Sequence, residues 1–286
     1  MSIHLHLGAH KTASTHIQAV LRENGHRLAA AGVRYAPPAE VRRLIGPARR
    51  AAARAGFLPS PRAIMAARRM AALAGREPHL VVADENSLGM CAEVIETCAL
   101  YPTAAPRLRL LRRLAAQRET TAFLAIRDYA AFFAGAHAQA ARGGRAAPLS
   151  DARRAALAAL PRRWTDVVGD IEKALPSVRL TLWRFEDYRA LRAVLPEMIS
   201  GAKDLKPFRR RSMATPSQAA MAAIFSRAAE NANCEISVGD FDYLRSSHDG
   251  ERYMPFSPEE RDAMAAAYAE DCERLRADAD IRFLTP

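Results

Sequence analysis

Apolar and polar positions alternate along some segments of the chain and recur with a helical period along others. Residues 3–7 alternate and end at a glycine, which is typical of a short strand. Short runs rich in apolar and β-branched residues predict further strands at 80–83, 120–126 and 178–183. Between these runs, apolar residues return about every 3.6 positions, the period of an amphipathic helix. The pattern therefore predicts strands that alternate with helices.

Helices are predicted directly after the first strand and over most of the remaining chain. The later helical segments are 39–75 with a break near 56–61, 104–117, 129–142, 151–175 with a break at Pro161, 187–200, 216–229 and 258–275, with loops at 201–214 and 231–257. This alternation predicts a helix-rich α/β fold of three layers, α/β/α, with a mostly parallel central sheet. We expect one domain over 1–286, with a helical insertion at about 38–75 and a helical C-terminal part at about 201–286.

The turn between the first strand and the first helix has the composition of an anion site. It reads Gly8-Ala9-His10-Lys11-Thr12-Ala13-Ser14-Thr15. The first N–H groups of a helix are free to bind an anion, and the helix dipole favours negative charge there. Lys11 adds a full positive charge, while Ser14 and Thr15 can cap the helix or donate to the anion. An ordinary strand–helix turn with a capping hydroxyl is the alternative interpretation.

This turn resembles the 5′-phosphosulfate loop of the sulfotransferases, in particular a bacterial branch with the pattern G-x-H-K-T-[GA]-[ST]-T followed by a hydrophobic residue and Gln. The chain continues with Ile17 and Gln18 in agreement, whereas the nucleotide-hydrolase pattern would need a glycine before Lys11. Glycine is usual where the chain has Ala13, so we expect the backbone there to avoid positive φ. The resemblance implies a P-loop-like fold in which residues 8–15 hold the phosphosulfate of 3′-phosphoadenosine 5′-phosphosulfate.

Two other predicted strands end in polar residues. Asp84-Glu85-Asn86 follows the second strand and Arg127 ends the third. Ligands of open parallel sheets bind beyond the carboxyl ends of the strands, so these residues are expected near the loop. A carboxylate there can take a proton from an incoming hydroxyl or amine. The resemblance favours Glu85, with His10 as the other candidate base; a solvated or helix-capping cluster is the plainer interpretation of the acidic residues.

The resemblance also implies a site for the 3′-phosphate of the donor. In the sulfotransferases an Arg after this strand and a Ser eight residues later bind that phosphate. The chain has Arg127 and Gly135 at these positions, so one hydroxyl is missing, a loss of about 1–2 kcal/mol if nothing replaces it. Arg210, in the run 209–211, is expected to close over the nucleotide, or else belongs to an exposed basic loop. The segment 183–188 resembles a further fold marker of the family.

These residues predict a sulfotransferase that transfers a sulfuryl group to a hydroxyl or amine of a glycan, lipid or small metabolite, with Lys11 supporting the leaving phosphate and with no metal required. Two alternatives stay open. One is a P-loop kinase using Mg-ATP, with Asp84 on the metal. The other is a non-catalytic module that binds polyanions through its arginines.

Charge and cysteine content indicate which partners and which cellular compartment to expect. The net charge is +11, and the arginines are scattered without the interleaved aromatic residues of a nucleic-acid platform, so nucleic acid is not an expected partner. Contact with an anionic membrane surface stays open, although no apolar run reaches the 18 residues of a membrane span. Four cysteines without metal-ligand spacing, and no signal peptide, predict a cytoplasmic protein. His4 and His6 share one strand face, where a core role is expected over a metal site.

Overall fold

A computed structural model gives the fold of residues 1–55, 61–189, 194–199, 205–206 and 214–286. Within these residues six strands form one all-parallel sheet, in the order β2-β3-β1-β4-β5-β6. The strands are β1 Ser2–Gly8, β2 Val33–Ala36, β3 His79–Ala83, β4 Glu119–Ile126, β5 Arg179–Arg184 and β6 Ile281–Leu284. Helices cover both faces, so the predicted three-layer α/β/α fold is confirmed.

The described part of the chain contains fourteen α-helices. They are α1 Ser14–Glu23, α2 Gly25–Ala30, α3 Pro38–Ala55, α4 Pro61–Ala71, α5 Cys91–Thr97, α6 Ala104–Leu108, α7 Arg112–Ala115, α8 Tyr129–Arg142, α9 Asp151–Ala158, α10 Trp164–Ala174, α11 Val194–Met198, α12 Gln218–Ala229, α13 Val238–Ser247 and α14 Pro258–Ala277. Among the residues that the structure describes, no helix is both long enough and apolar enough to cross a bilayer.

The pleat of β1 divides the core between two layers. Ile3, Leu5 and Leu7 point into the larger core, which the helices from α3 to α10 and α14 complete. His4 and His6 point to the other face, where α1, α2 and α11 pack. A third cluster joins α8 to α12 and α13. All four cysteines are free thiols.

Several predicted boundaries differ from the observed ones. α3 ends at Ala55 and α4 begins at Pro61, while residues 56–60 of the predicted break lie outside the described residues, as does most of the predicted loop at 201–214. The predicted helix at 129–142 is α8. The four predicted strands are present, but β2 and β6 were not predicted, since four residues each give almost no periodic signal. The predicted loop at 231–257 was wrong over α13, which Ser237 caps by accepting a hydrogen bond from the N–H of Asp240.

The sheet order brings three chain segments to one place. β1 lies between β3 and β4, with His6 opposite Ala83 on one side and Gly8 opposite Leu124 on the other. The carboxyl ends of these three strands are therefore adjacent. The loop after β1, the acidic turn after β3 and Arg127 after β4 leave the sheet at the same edge.

Candidate functional site

The loop after β1 has an unusual backbone. Gly8, Lys11 and Ala13 have φ of 109°, 61° and 64°. The expectation that Ala13 avoids positive φ was therefore wrong: the alanine occupies the left-handed region in which glycine is usual. That conformation costs an L-residue about 1–2 kcal/mol, so contacts elsewhere in the loop must hold it.

Two hydroxyls supply these contacts. Thr12 Oγ1 and Ser14 Oγ both donate to the carbonyl oxygen of Ala9, at 2.8 and 2.6 Å. The prediction that a Ser or Thr caps α1 was wrong, because the N-cap is Ala13 and no side chain accepts from the first turn. The buried hydroxyls instead tie the loop into a closed turn and leave the first turn of the helix without a side-chain acceptor.

The backbone N–H groups that follow lack acceptors within the loop. Among the described residues none accepts a hydrogen bond from the N–H of Thr12, Ala13, Ser14 or Thr15. Four successive N–H groups at the start of a helix, without internal acceptors, form a concave site for an anion. The loop therefore presents main-chain donors as a candidate anion site, and its hydroxyls shape the turn.

Lys11 lies beside this row of donors and is largely buried. Burial, with smaller contributions from the positive charges of Arg127 and Arg245, lowers the pKa of Lys11 to about 8. Its aliphatic part packs on α8: a Cβ placed on Gly135 would lie 3.1 Å from both Cγ and Cε of Lys11. An anion at the loop would favour the charged form of this lysine.

Arg127 binds the loop directly. Its Nη1 donates to the carbonyl oxygen of Lys11 at 2.6 Å, and its guanidinium lies over the ring of Phe185, 4.6 Å from the centroid. Its Nε is buried without a hydrogen-bond partner among the described residues. Arg127 thus fixes the lysine-bearing segment and retains one buried donor.

Gly135 lies against the same lysine, where the sulfotransferase pattern has a serine. The hydroxyl Oγ1 of Thr215 lies 3.3 Å from the position that a Cβ on Gly135 would take. A hydroxyl is therefore present beside Gly135, supplied by a distant segment of the chain. Sequence reasoning missed Thr215, because nothing in its neighbourhood marks it.

Glu85 stands directly over the start of the loop. A Cβ on Gly8 would lie 3.0 Å from the Cβ of Glu85, so only glycine fits there at φ 109°. Gln18 Nε2 donates to one carboxylate oxygen of Glu85 at 2.5 Å, and Arg42 Nη2 donates to the other at 3.0 Å. Burial alone would raise the pKa of Glu85; the neighbouring His10, the Gln18 hydrogen bond and Arg42 outweigh it and hold that pKa below its ordinary value.

Asp84 is committed to arginines of α3. Arg42 Nε donates to its Oδ1 at 3.0 Å, and Arg49 Nη1 donates to its Oδ2. Both carboxylate oxygens are engaged and the side chain is fully buried. The residue that a kinase would need on its metal therefore links β3 to α3. The described residues contain no group of three or more His, Cys, Asp or Glu side chains arranged to hold a metal ion.

His10 is held by two partners. The hydroxyl of Tyr101 accepts from the backbone N–H of His10 and pairs with its Nδ1, both at 2.9 Å, while Nε2 pairs with Oδ1 of Asn86 at 2.9 Å. An Nε2–H tautomer satisfies all three contacts, because Tyr101 then donates to Nδ1. Burial lowers the pKa of His10, which favours this neutral form. Both ring nitrogens of His10 are therefore engaged by Tyr101 and Asn86.

The two histidines of β1 lie in the layer that α1, α2 and α11 cover. His4 Nδ1 contacts the carbonyl oxygen of Met198 at 2.5 Å, and both ring nitrogens of His6 are buried without a partner among the described residues. Arg210 lies outside the residues that the structure describes, and its predicted role stays a prediction. Two arginines that sequence reasoning passed over, Arg245 and Arg252, act electrostatically on Lys11 and Arg127 respectively.

Comparison of the chain with protein-family models, with curated proteins and with solved structures found no match. The function is therefore proposed from the residues of the site.

Proposed function

We propose that the protein is a sulfotransferase that takes the sulfuryl group of 3′-phosphoadenosine 5′-phosphosulfate to a hydroxyl or amine of an acceptor. One observation carries the proposal: at a single sheet edge, four backbone N–H groups without an acceptor among the described residues and a largely buried lysine adjoin an ionised carboxylate. The donors suit a phosphosulfate, and the carboxylate suits an incoming nucleophile.

Each residue has a defined part in the transfer. Glu85 accepts the proton of the acceptor as its oxygen or nitrogen bonds to sulfur. The bond between sulfur and the bridging oxygen breaks, and its electrons pass to the leaving phosphate. Lys11 and the N–H groups of residues 12–15 stabilise this charge, and the products are the sulfated acceptor and adenosine 3′,5′-bisphosphate.

The ionisation states at neutral pH agree with these parts. A lysine with a pKa of about 8 is still about nine-tenths protonated at pH 7, so Lys11 meets the leaving group as a cation. Glu85 is ionised, and each of its oxygens keeps a lone pair after bonding to Gln18 or Arg42. Those two hydrogen bonds orient the carboxylate and leave it able to accept a proton.

The 3′-phosphate of the donor is assigned to Arg127 and Thr215. Within the described part of the chain, Arg127 retains a buried N–H without an acceptor, and Thr215 supplies a hydroxyl beside Gly135, where the sulfotransferase pattern has a serine. The predicted role of Arg210 at this phosphate, the choice of acceptor and the cytoplasmic location belong to the same proposal.

Ligand-dependent thermal stability tests the donor. Adenosine 3′,5′-bisphosphate at about 100 times its Kd should stabilise the native state by about 2.7 kcal/mol, which raises Tm by about 4–5 °C for a chain of this size. Lys11→Ala should abolish the increase. Lys173→Ala, which removes an exposed lysine of α10, is the matched control and should retain it. Selective stabilisation by Mg-ATP would contradict the proposal and favour a kinase.

A further inference from the structure

The outer face of α4 is apolar in part, although it faces solvent. Ala66 and Met70 are buried against the core, while Ile64 and Met65 on the opposite face are 41% and 46% exposed. Exposed aliphatic residues side by side are unusual on a helix that already has a buried face. This side of α4 therefore presents a second apolar surface.

Arginines surround these two residues. Arg62, Arg68 and Arg69 lie on the same exposed side of α4, and Arg112 and Arg113 are exposed on α7, which packs beside it. None of the five forms an ion pair with a described residue. We call Ile64, Met65 and these five arginines the α4 face.

The sequence around the α4 face contains no acidic residue that could neutralise it. Residues 41–76 contain nine arginines, residues 104–118 contain five, and neither segment contains Asp or Glu. Arg42, Arg49 and Arg107 are paired with carboxylates from other segments. The exposed arginines of α4 and α7 therefore have no acidic neighbour within these two segments.

We infer that the α4 face binds the surface of an anionic lipid bilayer. A helix with exposed aliphatic residues flanked by arginines is the pattern of a helix that lies in the membrane interface, with its apolar residues among the acyl chains and its cations among the headgroups. The face has no aromatic residue for base stacking, which favours a bilayer over a single-stranded nucleic acid. This inference is independent of the sulfuryl transfer proposed above.

Vesicle sedimentation tests the inference. The full chain should bind mixed phosphatidylcholine–phosphatidylglycerol vesicles, bind less as salt is raised, and fail to bind pure phosphatidylcholine. Each arginine near an anionic surface contributes about a fivefold factor, so Arg68→Gln/Arg69→Gln should lower the partition coefficient about 25-fold. Ile64→Ser/Met65→Ser should remove the binding that persists at high salt.

A double substitution of two arginines on another surface controls for the change in net charge. Arg261→Gln/Arg274→Gln removes two exposed arginines of α14, which packs on β6 at the other end of the sheet, and should leave the partition coefficient within about twofold of the original. An equal loss in both pairs, or equal binding to neutral and anionic vesicles, would overturn the inference. So would binding of a DNA duplex that depends on Arg68 and Arg69 while no vesicle is bound.

Discussion

The side chain of Lys11 packs directly against Gly135. The side chain of Lys11 passes so close to α8 that a Cβ at Gly135 would lie 3.1 Å from two of its carbons. The glycine therefore allows the lysine to reach the loop along this path. A serine here, as in the sulfotransferase pattern, would displace the lysine or the hydroxyl of Thr215.

We expect Gly135→Ser to impair binding of the proposed donor, although it introduces the residue that the sulfotransferase pattern has there. Overpacking against Lys11 and Thr215 should lower the free energy of unfolding by about 1–3 kcal/mol and reduce the stabilisation by adenosine 3′,5′-bisphosphate. Denaturant unfolding with and without the bisphosphate measures both effects. Gly169→Ser is the control, because Gly169 is also helical and has no atom near its Cβ position. Stronger bisphosphate binding in Gly135→Ser would contradict this account.

The loop after β1 could be predicted from the sequence only in part. Its type and location, a strand, a turn with a lysine and a helix, followed from local pattern alone. The roles of Thr12, Ala13 and Ser14 did not follow, because a hydroxyl before a helix caps in most contexts. Here both hydroxyls donate to the carbonyl of Ala9, and the alanine adopts φ 64°. Such choices depend on the closed geometry of the whole loop.

At the scale of elements, α3 is attached to the site through Asp84. The helix supplies Arg42 and Arg49, which share the two oxygens of that carboxylate, and Arg42 continues to Glu85. Arg49 also donates to Oγ of Ser87 at 3.0 Å. The predicted helical insertion therefore borders the candidate base, and the ion pairs orient the end of β3.

Asp84→Asn should lower the free energy of unfolding by about 3–5 kcal/mol, because it leaves the buried guanidinium of Arg49 without its counter-charge. Replacing both partners, as in Asp84→Asn/Arg49→Met, should restore a large part of the loss. Chemical denaturation of the single and double variants gives the coupling between them. An Asp84→Asn variant of unchanged stability would show that the pair is not structural and would reopen the metal-binding role of a kinase.

Secondary-structure prediction succeeded for elements long enough to show a clear hydrophobic period, and it failed for short elements. The fourteen residues of α8 gave a clear helical pattern ended by Gly143. β2 and β6, of four residues each, gave none, and they become strands because they pair with β3 and β5. α13 has one buried residue, Phe241, so its helical face was too narrow to recognise.

At the scale of the whole molecule, the parallel sheet explains why distant polar residues meet. The alternation of strands and helices predicted that strand ends would share an edge, and the order β3-β1-β4 brings Glu85 and Arg127 to the loop. Thr215 could not be predicted in the same way, because it comes from the segment before α12, outside any strand end. Connections of that kind depend on the packing of the C-terminal helices.

The free energy of unfolding should also depend on pH, because His6 of β1 and His137 of α8 are buried. Burial lowers the pKa of His6 and of His137 to about 4, so both are neutral in the folded chain while the unfolded chain binds protons below about pH 6.5. The stability that depends on their neutral forms is complete above pH 6.5 and is lost as the pH falls toward 4, by about 3 kcal/mol for each.

Substitution by leucine should distinguish the contributions of the two histidines to stability. His6 has no hydrogen-bond partner among the described residues, so His6→Leu should retain stability at pH 7 and flatten the fall in the free energy of unfolding between pH 6.5 and 4. His137 pairs with the hydroxyl of Tyr253 and the carbonyl oxygen of Ala147, so His137→Leu should flatten the same fall but cost about 1–3 kcal/mol at pH 7. Urea unfolding across this pH range measures both, with the exposed His26→Gln as control. An unchanged pH slope in His6→Leu would mean that its imidazole accepts a proton in the folded chain, and that water reaches the face of β1 beneath α1.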